Sequence, residues 1–271
     1  MVGLLAPETT SFGFLWLAFA IVASFVGGAL WGAIPGLLRA YRGSHEVINT
    51  IMMNFIATAL LTYLALYHFK DYSIQAIATP LIAKSTHIPK LSTVFPFASN
   101  SPANFSFLLA LLVAALTYVF LWKSKYGFEF RAVGQNQRVA HCSGIPVKRI
   151  ILLSMLLSGG LAGLVACSEV LGHLYRYKEG FSHGYGFLGI AVALLGRNHP
   201  FGIVLASILF GALHNSGIAL EFDTQNISRD LIGVIQGLII LITASDGLFE
   251  MISTKKISSF LASLFPKKEI K

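Results

Sequence analysis

Residues 127–172 read GFEFRAVGQNQRVAHCSGIPVKRIILLSMLLSGGLAGLVACSEVLG. The first half carries Glu129, Arg131, Arg138, Lys148 and Arg149, whereas from Ile150 to Ser168 no charged side chain occurs. At 1.5 Å rise per residue a hydrocarbon core of about 30 Å needs about 20 helical residues, so this apolar half is long enough to cross a bilayer. The same alternation recurs outward in both directions, with uncharged runs at 11–38, 48–69, 105–122, 185–196, 200–220 and 231–245, the last extended as a span to 227–245 with Arg229 and Asp230 reaching the interface along their stems. Composition agrees: of 271 residues 55% are hydrophobic and 12% charged, about half the roughly 25% charged share of soluble domains. An ordinary soluble domain is excluded. The expected fold is all-α: one polytopic, membrane-embedded helical domain over 1–271 with about seven transmembrane segments. Residues 185–196 form the exception, a short or broken segment reaching only about 18 Å.

Basic residues set the orientation. If all seven segments cross and the C-terminus is cytoplasmic, the inner connections are 39–47, 123–149, 197–199 and the tail 246–271. These hold 14 of the 20 Lys and Arg residues with 5 acidic groups, so the whole +8 excess lies on one face. That distribution reads as topology and contact with anionic headgroups, not as a nucleic-acid surface. It places Met1 outside, ahead of the first span and without a basic leader-like region.

Gly28, Gly32 and Gly36 form one small-residue stripe and Gly159 with Gly163 another, both read as close helix packing. Cys142 and Cys167 stand alone, offering no CxxC site. No GxxxxGK[ST] phosphate loop and no HExxH metal motif occurs. Residues 180–184, GFSHG, match GxSxG, but a nucleophile elbow needs a strand–turn–helix setting and this string follows a charged loop. No cofactor or metal is expected, and the chain is not read as an enzyme. Asn54, His214, Asn215 and Gln236 lie inside apolar runs and Glu169 closes one. Polar groups at that depth must face the bundle interior or a cavity, as interhelical hydrogen bonds or as the wall of a solute path. Asn54, Glu169, Asn215 and Gln236 are the path candidates.

The connection 123–149 is the longest inner one, with no Pro/Ser-rich or low-complexity character. Asn136 is placed to cap a short helix through Gln137, Arg138, Val139, Ala140, His141 and Cys142, which Gly144 ends. Such a helix suits docking into a groove of a soluble partner. Lying amphipathically on headgroups is the alternative.

Three stretches carry a wider resemblance: 32–57 (GAIPGLLRAYRGSHEVINTIMMNFIA), 127–172 as quoted, and 184–217 (GYGFLGIAVALLGRNHPFGIVLASILFGALHNSG). Together they resemble permease subunits of bacterial ABC importers, in the nucleoside and simple-sugar branch of the branched-chain amino-acid and ribose-type permeases. The resemblance implies that 127–145 holds a coupling helix for a separate ABC ATPase subunit. Phe130, Arg131, Ala132, Val133, Gly134, Asn136, Gly144 and Ile145 match its RAVGxN…GI frame. It also implies a second permease chain, the same or different, an external solute-binding lipoprotein, and a bacterial inner-membrane location. Val139 departs from a frequent Ala, and Leu188 from a frequent polar residue. The usual N-terminal helices with a GLFNIGxEGQ-like stretch have no counterpart here. Implied cargo is a nucleoside or, alternatively, a simple sugar such as ribose or galactose. Rival classes are an ATPase-independent secondary transporter and an intramembrane hydrolase using Ser182.

Overall fold

The computed structural model describes residues 4, 13–91, 103–182, 184–223 and 229–244. Two compact units divide the chain, Met1–His183 and Gly184–Lys271. The first contains α1 (Gly13–Arg42), α2 (Glu46–Tyr67), α3 (Ser106–Lys123), α4 (Lys125–Gln135), α5 (Gln137–Cys142) and α6 (Val147–Gly163), which runs on into a π-helical turn, Cys167–Leu174. In the second, α7 (Tyr185–Leu195), α8 (Pro200–Asp223) and α9 (Arg229–Ala244) pack on one another. Among the described residues the extended pairing is confined to isolated bridges, Ala78 with Lys178 and Lys90 with Asn104.

Five helical stretches are long and apolar enough to cross a membrane: Phe14–Arg42, Glu46–Tyr67, Ser106–Lys123, Val147–Leu174 and Pro200–Gly217. Side chains that an aqueous protein would bury are turned outward all along them, including Leu30, Phe55, Leu116 and Leu205. Exposed apolar surface on that scale marks lipid or protein, not water, as the surrounding medium. The chain is a multi-pass helical membrane protein. Of the seven expected segments, the two remaining are short: α7 has 11 residues, about 16 Å, and α9 has 16, about 24 Å.

The first unit is organised by α1 against α6. A Cβ on Gly159 would stand 2.5 Å from the Gly28 carbonyl oxygen, and one on Gly32 would stand 2.7 Å from that of Met155. The two glycine stripes therefore face each other backbone to backbone, and any side chain there would separate the helices. Dispersion across that contact replaces the hydrophobic drive that lipid removes.

Each end of this pair carries a small packed structure. At one end Val133, Ala140 and Ile150 form a buried cluster covered by Phe130, Ala132, Ile145, Val147 and Ile151. At the other, Ala20, Ile82, Ile88, Cys167 and Leu171 are buried together, with Leu17, Ile21, Phe105 and Tyr175 around them. Here the chain after α2 folds back over the helix ends. Amides of Thr79, Ile82 and Ile88 donate to the carbonyls of Tyr177, Tyr175 and Leu171 at 3.0, 2.9 and 2.9 Å. The His87 ring stacks on Tyr175 with centroids 4.1 Å apart. Asp71 accepts from the Ser73 hydroxyl and amide at 2.5 and 3.0 Å and faces Arg176 at 3.7 Å.

Two boundaries differ from the sequence-based expectation. Residues 123–149 hold two helices, not one: α4 carries Lys125, Glu129 and Arg131 among its aromatics, so no apolar run announces it. The fourth span continues past residue 168 to Leu174 because Glu169 lies on the π-helical turn, half-buried, instead of ending the helix.

Candidate functional site

The end of the molecule formed by α4 and α5 is built from local rules. Ser124 accepts from the Gly127 amide at 3.0 Å and so caps α4. Asn136, extended at φ −156° and ψ 107°, breaks the helix and caps α5, its Oδ1 accepting from the amides of Arg138 and Val139 at 3.0 and 3.2 Å. Substituting such a cap by Ala costs about 1 kcal/mol. Gly144 sits at φ +78°. From there its amide reaches the His141 carbonyl at 3.0 Å, and that of Ile145 reaches Ala140 at 3.1 Å. This 5→2 and 6→1 pair is a Schellman ending, with Ile145 tucked against the cluster it closes.

The eight residues of the RAVGxN…GI frame separate into two sets. Phe130, Ala132, Val133 and Ile145 belong to the packed cluster. Phe130 is further fixed by an edge-on contact with Phe120, centroids 5.5 Å apart. Arg131, Gly134, Asn136 and Gly144 are exposed. Arg131 places its guanidinium over the Trp122 ring, 5.8 Å from the centroid, at the end of α3. The free face of α5 presents Arg138, Val139, His141 and Cys142, with Val139 61% exposed. Val139 is thus apolar surface left exposed on a turn capped at both ends. The frame residues alone do not reveal it, because half of them serve the internal packing.

The four path candidates fall in different places. Asn54, on α2, lines a cavity of about 570 Å³ between α1, α2 and α6, together with Trp31, Pro35 and Thr50. Glu169 lies on the π-helical turn, beside Ser168, whose hydroxyl accepts from Ser106 at 3.1 Å. Asn215 is exposed on α8, next to His214, which meets the Tyr185 ring edge-on at 6.4 Å. Gln236, on α9, is buried. Trp31, absent from the sequence-based candidates, was hidden by its apolar surroundings. Of the GxSxG string, Gly180 has φ +75° and Ser182 lies in a turn, while His183 is outside the described residues. Among the described residues no group of three or more His, Cys, Asp or Glu could hold a metal ion.

The chain is similar to several curated transport proteins. A guanosine ABC transporter permease protein of Bacillus subtilis is 37% identical over 238 residues, covering 86% of this chain and 66% of the relative. A nucleoside ABC transporter permease protein of Lactococcus lactis subsp. cremoris is 31% identical over 245 residues, 89% of this chain and 66% of the relative. A glucose ABC transporter permease protein of Haloferax volcanii is 29% identical over 238 residues, 86% of this chain and 62% of the relative. The chain thus spans just under two thirds of the length of these relatives. No solved structure matches it. The model of one protein family, the permease component of the branched-chain amino acid transport system, matches residues 1–244, so the chain belongs to that family.

Proposed function

We propose that this protein is a transmembrane permease subunit of an ATP-driven nucleoside importer. It forms part of the translocation path, performs no chemistry itself, and is moved by a separate ABC ATPase. The observation that carries this reading is the α4–α5 hairpin: a hydrophobic cluster holds it rigid from within, while Arg131, Arg138 and Val139 face outward. A rigid handle transmits a push as a displacement of the helices it is fused to, here α3 and α6. Family membership and the guanosine and nucleoside permeases among the relatives support the cargo class.

The assembly consists of this chain, a second permease chain, ATPase subunits on the hairpin side and a solute-binding lipoprotein on the opposite face. It sits in a bacterial inner membrane with the basic tail in the cytoplasm. Recognition at high affinity belongs to the lipoprotein, so polar residues at membrane depth, such as Asn54, Glu169, Asn215 and Gln236, need only offer transient hydrogen bonds. The glucose permease relative favours one second reading, a simple-sugar importer. An ATPase-independent transporter lacks any use for the exposed hairpin.

Uptake of labelled inosine, uridine, ribose and galactose in a strain lacking this chain separates the readings. Loss of nucleoside uptake alone is expected; loss of sugar uptake alone would replace the cargo. Docking is tested by Arg131→Glu with Val139→Asp. Both side chains are exposed, so the protein inserts normally while the ATPase no longer co-purifies. Retained co-purification would reject the hairpin as the handle.

A further inference from the structure

The cavity of about 570 Å³ between α1, α2 and α6 has an unusual wall for a membrane interior. Trp31 lies eleven residues before Arg42, and Asn54 eight after Glu46. They therefore stand about 16 and 12 Å from the α1–α2 turn, at similar depth in the helical hairpin. Within the described residues neither the Trp31 indole N–H nor the Asn54 amide makes a hydrogen bond. The Thr50 hydroxyl beside them is already engaged, donating to the carbonyls of Glu46 and Val47 at 3.0 and 3.1 Å. Pro35 lines the same cavity and has no N–H for the Trp31 carbonyl four residues earlier, which leaves an acceptor in the wall as well. Non-helical or unpaired backbone is tolerated at membrane depth where it lines a cavity. Gly28, Gly32 and Gly159 line it as well, adding no side chain to the wall.

A second cavity of similar size, about 620 Å³ between α1, α3 and α6, sharpens the contrast. Its lining is mostly Ile, Val, Leu and Phe; of its three hydroxyls, those of Thr117 and Ser154 are spent on the carbonyls of Val113 and Ile151 at 2.8 Å each, and that of Ser158 remains. It offers a polar solute neither an amide nor a tryptophan. The first cavity combines a tryptophan side chain, an amide with both donor and acceptor, and a stretch of glycine, within the size range of small-molecule sites, about 300–1,000 Å³. A planar heteroaromatic ring with hydrogen-bonding edges uses the tryptophan and the amide together.

We propose that the cavity between α1, α2 and α6 is a nucleobase subsite, in which the Trp31 ring stacks on the base and the Asn54 amide hydrogen-bonds its edge. This rests on the nucleoside-importer reading and places one step of passage at named residues. The sugar moiety lies toward the open side and contributes little to selection. Base stacking on an aromatic side chain is worth about 1–3 kcal/mol by alanine substitution, a factor of about ten in apparent affinity at 1.4 kcal/mol per decade.

The test is nucleoside uptake by the complete importer in membrane vesicles, for the parent and for Trp31→Leu, Trp31→Phe and Asn54→Leu, each normalised to inserted protein and co-purified ATPase. KM for inosine rises about tenfold in Trp31→Leu and Asn54→Leu with kcat little changed, and Trp31→Phe stays within about threefold of the parent. A direct readout uses the complex carrying Trp16→Phe and Trp122→Phe in this chain. Inosine quenches the Trp31 fluorescence there relative to the identical complex carrying Trp31→Phe as well, and ribose does not. Parent uptake of inosine with KM unmoved in both variants, or with no quenching by inosine, overturns the subsite and leaves the importer reading standing. A parent that takes up ribose but no nucleoside overturns both.

Discussion

The two ends of the α1–α6 pair are packed on the same scale but by different means. At the hairpin end every closing interaction spans a few residues: Ser124 to Gly127, Asn136 to Val139, Ala140 to Ile145. At the other end the contacts join segments about a hundred residues apart, as between Thr79 and Tyr177 or Ile82 and Tyr175. The hairpin is a local structure pressed onto α6 by Val133, Ala140 and Ile150; the cap has local turns, as at Asp71 and Ser73, but is joined to the helix ends by chain returning from elsewhere. A handle that must survive each push gains from interactions that do not depend on distant segments. The cap, by contrast, couples the α2 end to the π-helical turn, so that displacement of either strains the hydrogen bonds between them.

The largest effect that could break this contrast comes from charge inside the hairpin. Val133 is 6% exposed, so Val133→Asp buries a carboxylate with no partner and costs about 3–5 kcal/mol. Val139 is 61% exposed, and Val139→Asp leaves stability within about 0.5 kcal/mol. Hydrogen exchange over 125–145 should lose protection in the first and keep it in the second, while exchange over 77–91 stays unchanged in both. Equal protection of Val133→Asp and the parent would mean that the cluster does not hold the hairpin.

These differences also decide what could be read from the residues alone. Uncharged runs gave the long helices because lipid imposes one rule over about 20 residues, and the two glycine stripes followed from spacing as close-packing surfaces, though not that they face each other. The cap and stop of α5 were legible at Asn136 and Gly144 because both act within four residues. Helix α4 was not, since its glutamate, arginine and aromatics fit no apolar run. The cap over 70–91 was invisible for a different reason: its hydrogen bonds go to carbonyls of 171–177, and no local pattern encodes a partner that far along the chain. Of the candidate site, the RAVGxN…GI frame came from the resemblance as a whole, which does not separate its packed half from its exposed half. Trp31 escaped because an aromatic in an apolar run looks like packing until the opposite wall is known.

A smaller effect sharpens the local side of the comparison. Gly144→Ala places a Cβ on a residue at φ +78°, costing about 1–2 kcal/mol, and Asn136→Ala removes the α5 cap for about 1 kcal/mol. Both should loosen 137–145 by hydrogen exchange with no change at the cap. Because they close the two ends of one six-residue helix, the double substitution should fall short of or exceed the sum by more than about 0.5 kcal/mol. Strict additivity would count against α5 behaving as one unit.

Acid addresses the opposite end. Asp71 is held below the ordinary carboxylate range, first by the Ser73 hydroxyl, then by the Ser73 amide, with Arg176 adding attraction against a modest opposing effect of burial. A carboxylate whose folded value is depressed stabilises the fold above its unfolded value of 3.8. That stabilisation diminishes as pH falls through the folded value below it, because the unfolded chain then binds the proton more readily. The turn over 71–78 should therefore open earlier on acidification than the α5 hairpin, whose caps are an amide and a hydroxyl without a titrating group. Asp71→Asn should remove most of that difference, since it cannot titrate. The measurement is amide exchange at pH 6 and pH 3, corrected for intrinsic rates, over 71–78 and 137–145. If the hairpin opened first, or if Asp71→Asn kept the full acid sensitivity, the turn would owe its order to the Thr79 and Tyr177 backbone contacts and not to its carboxylate.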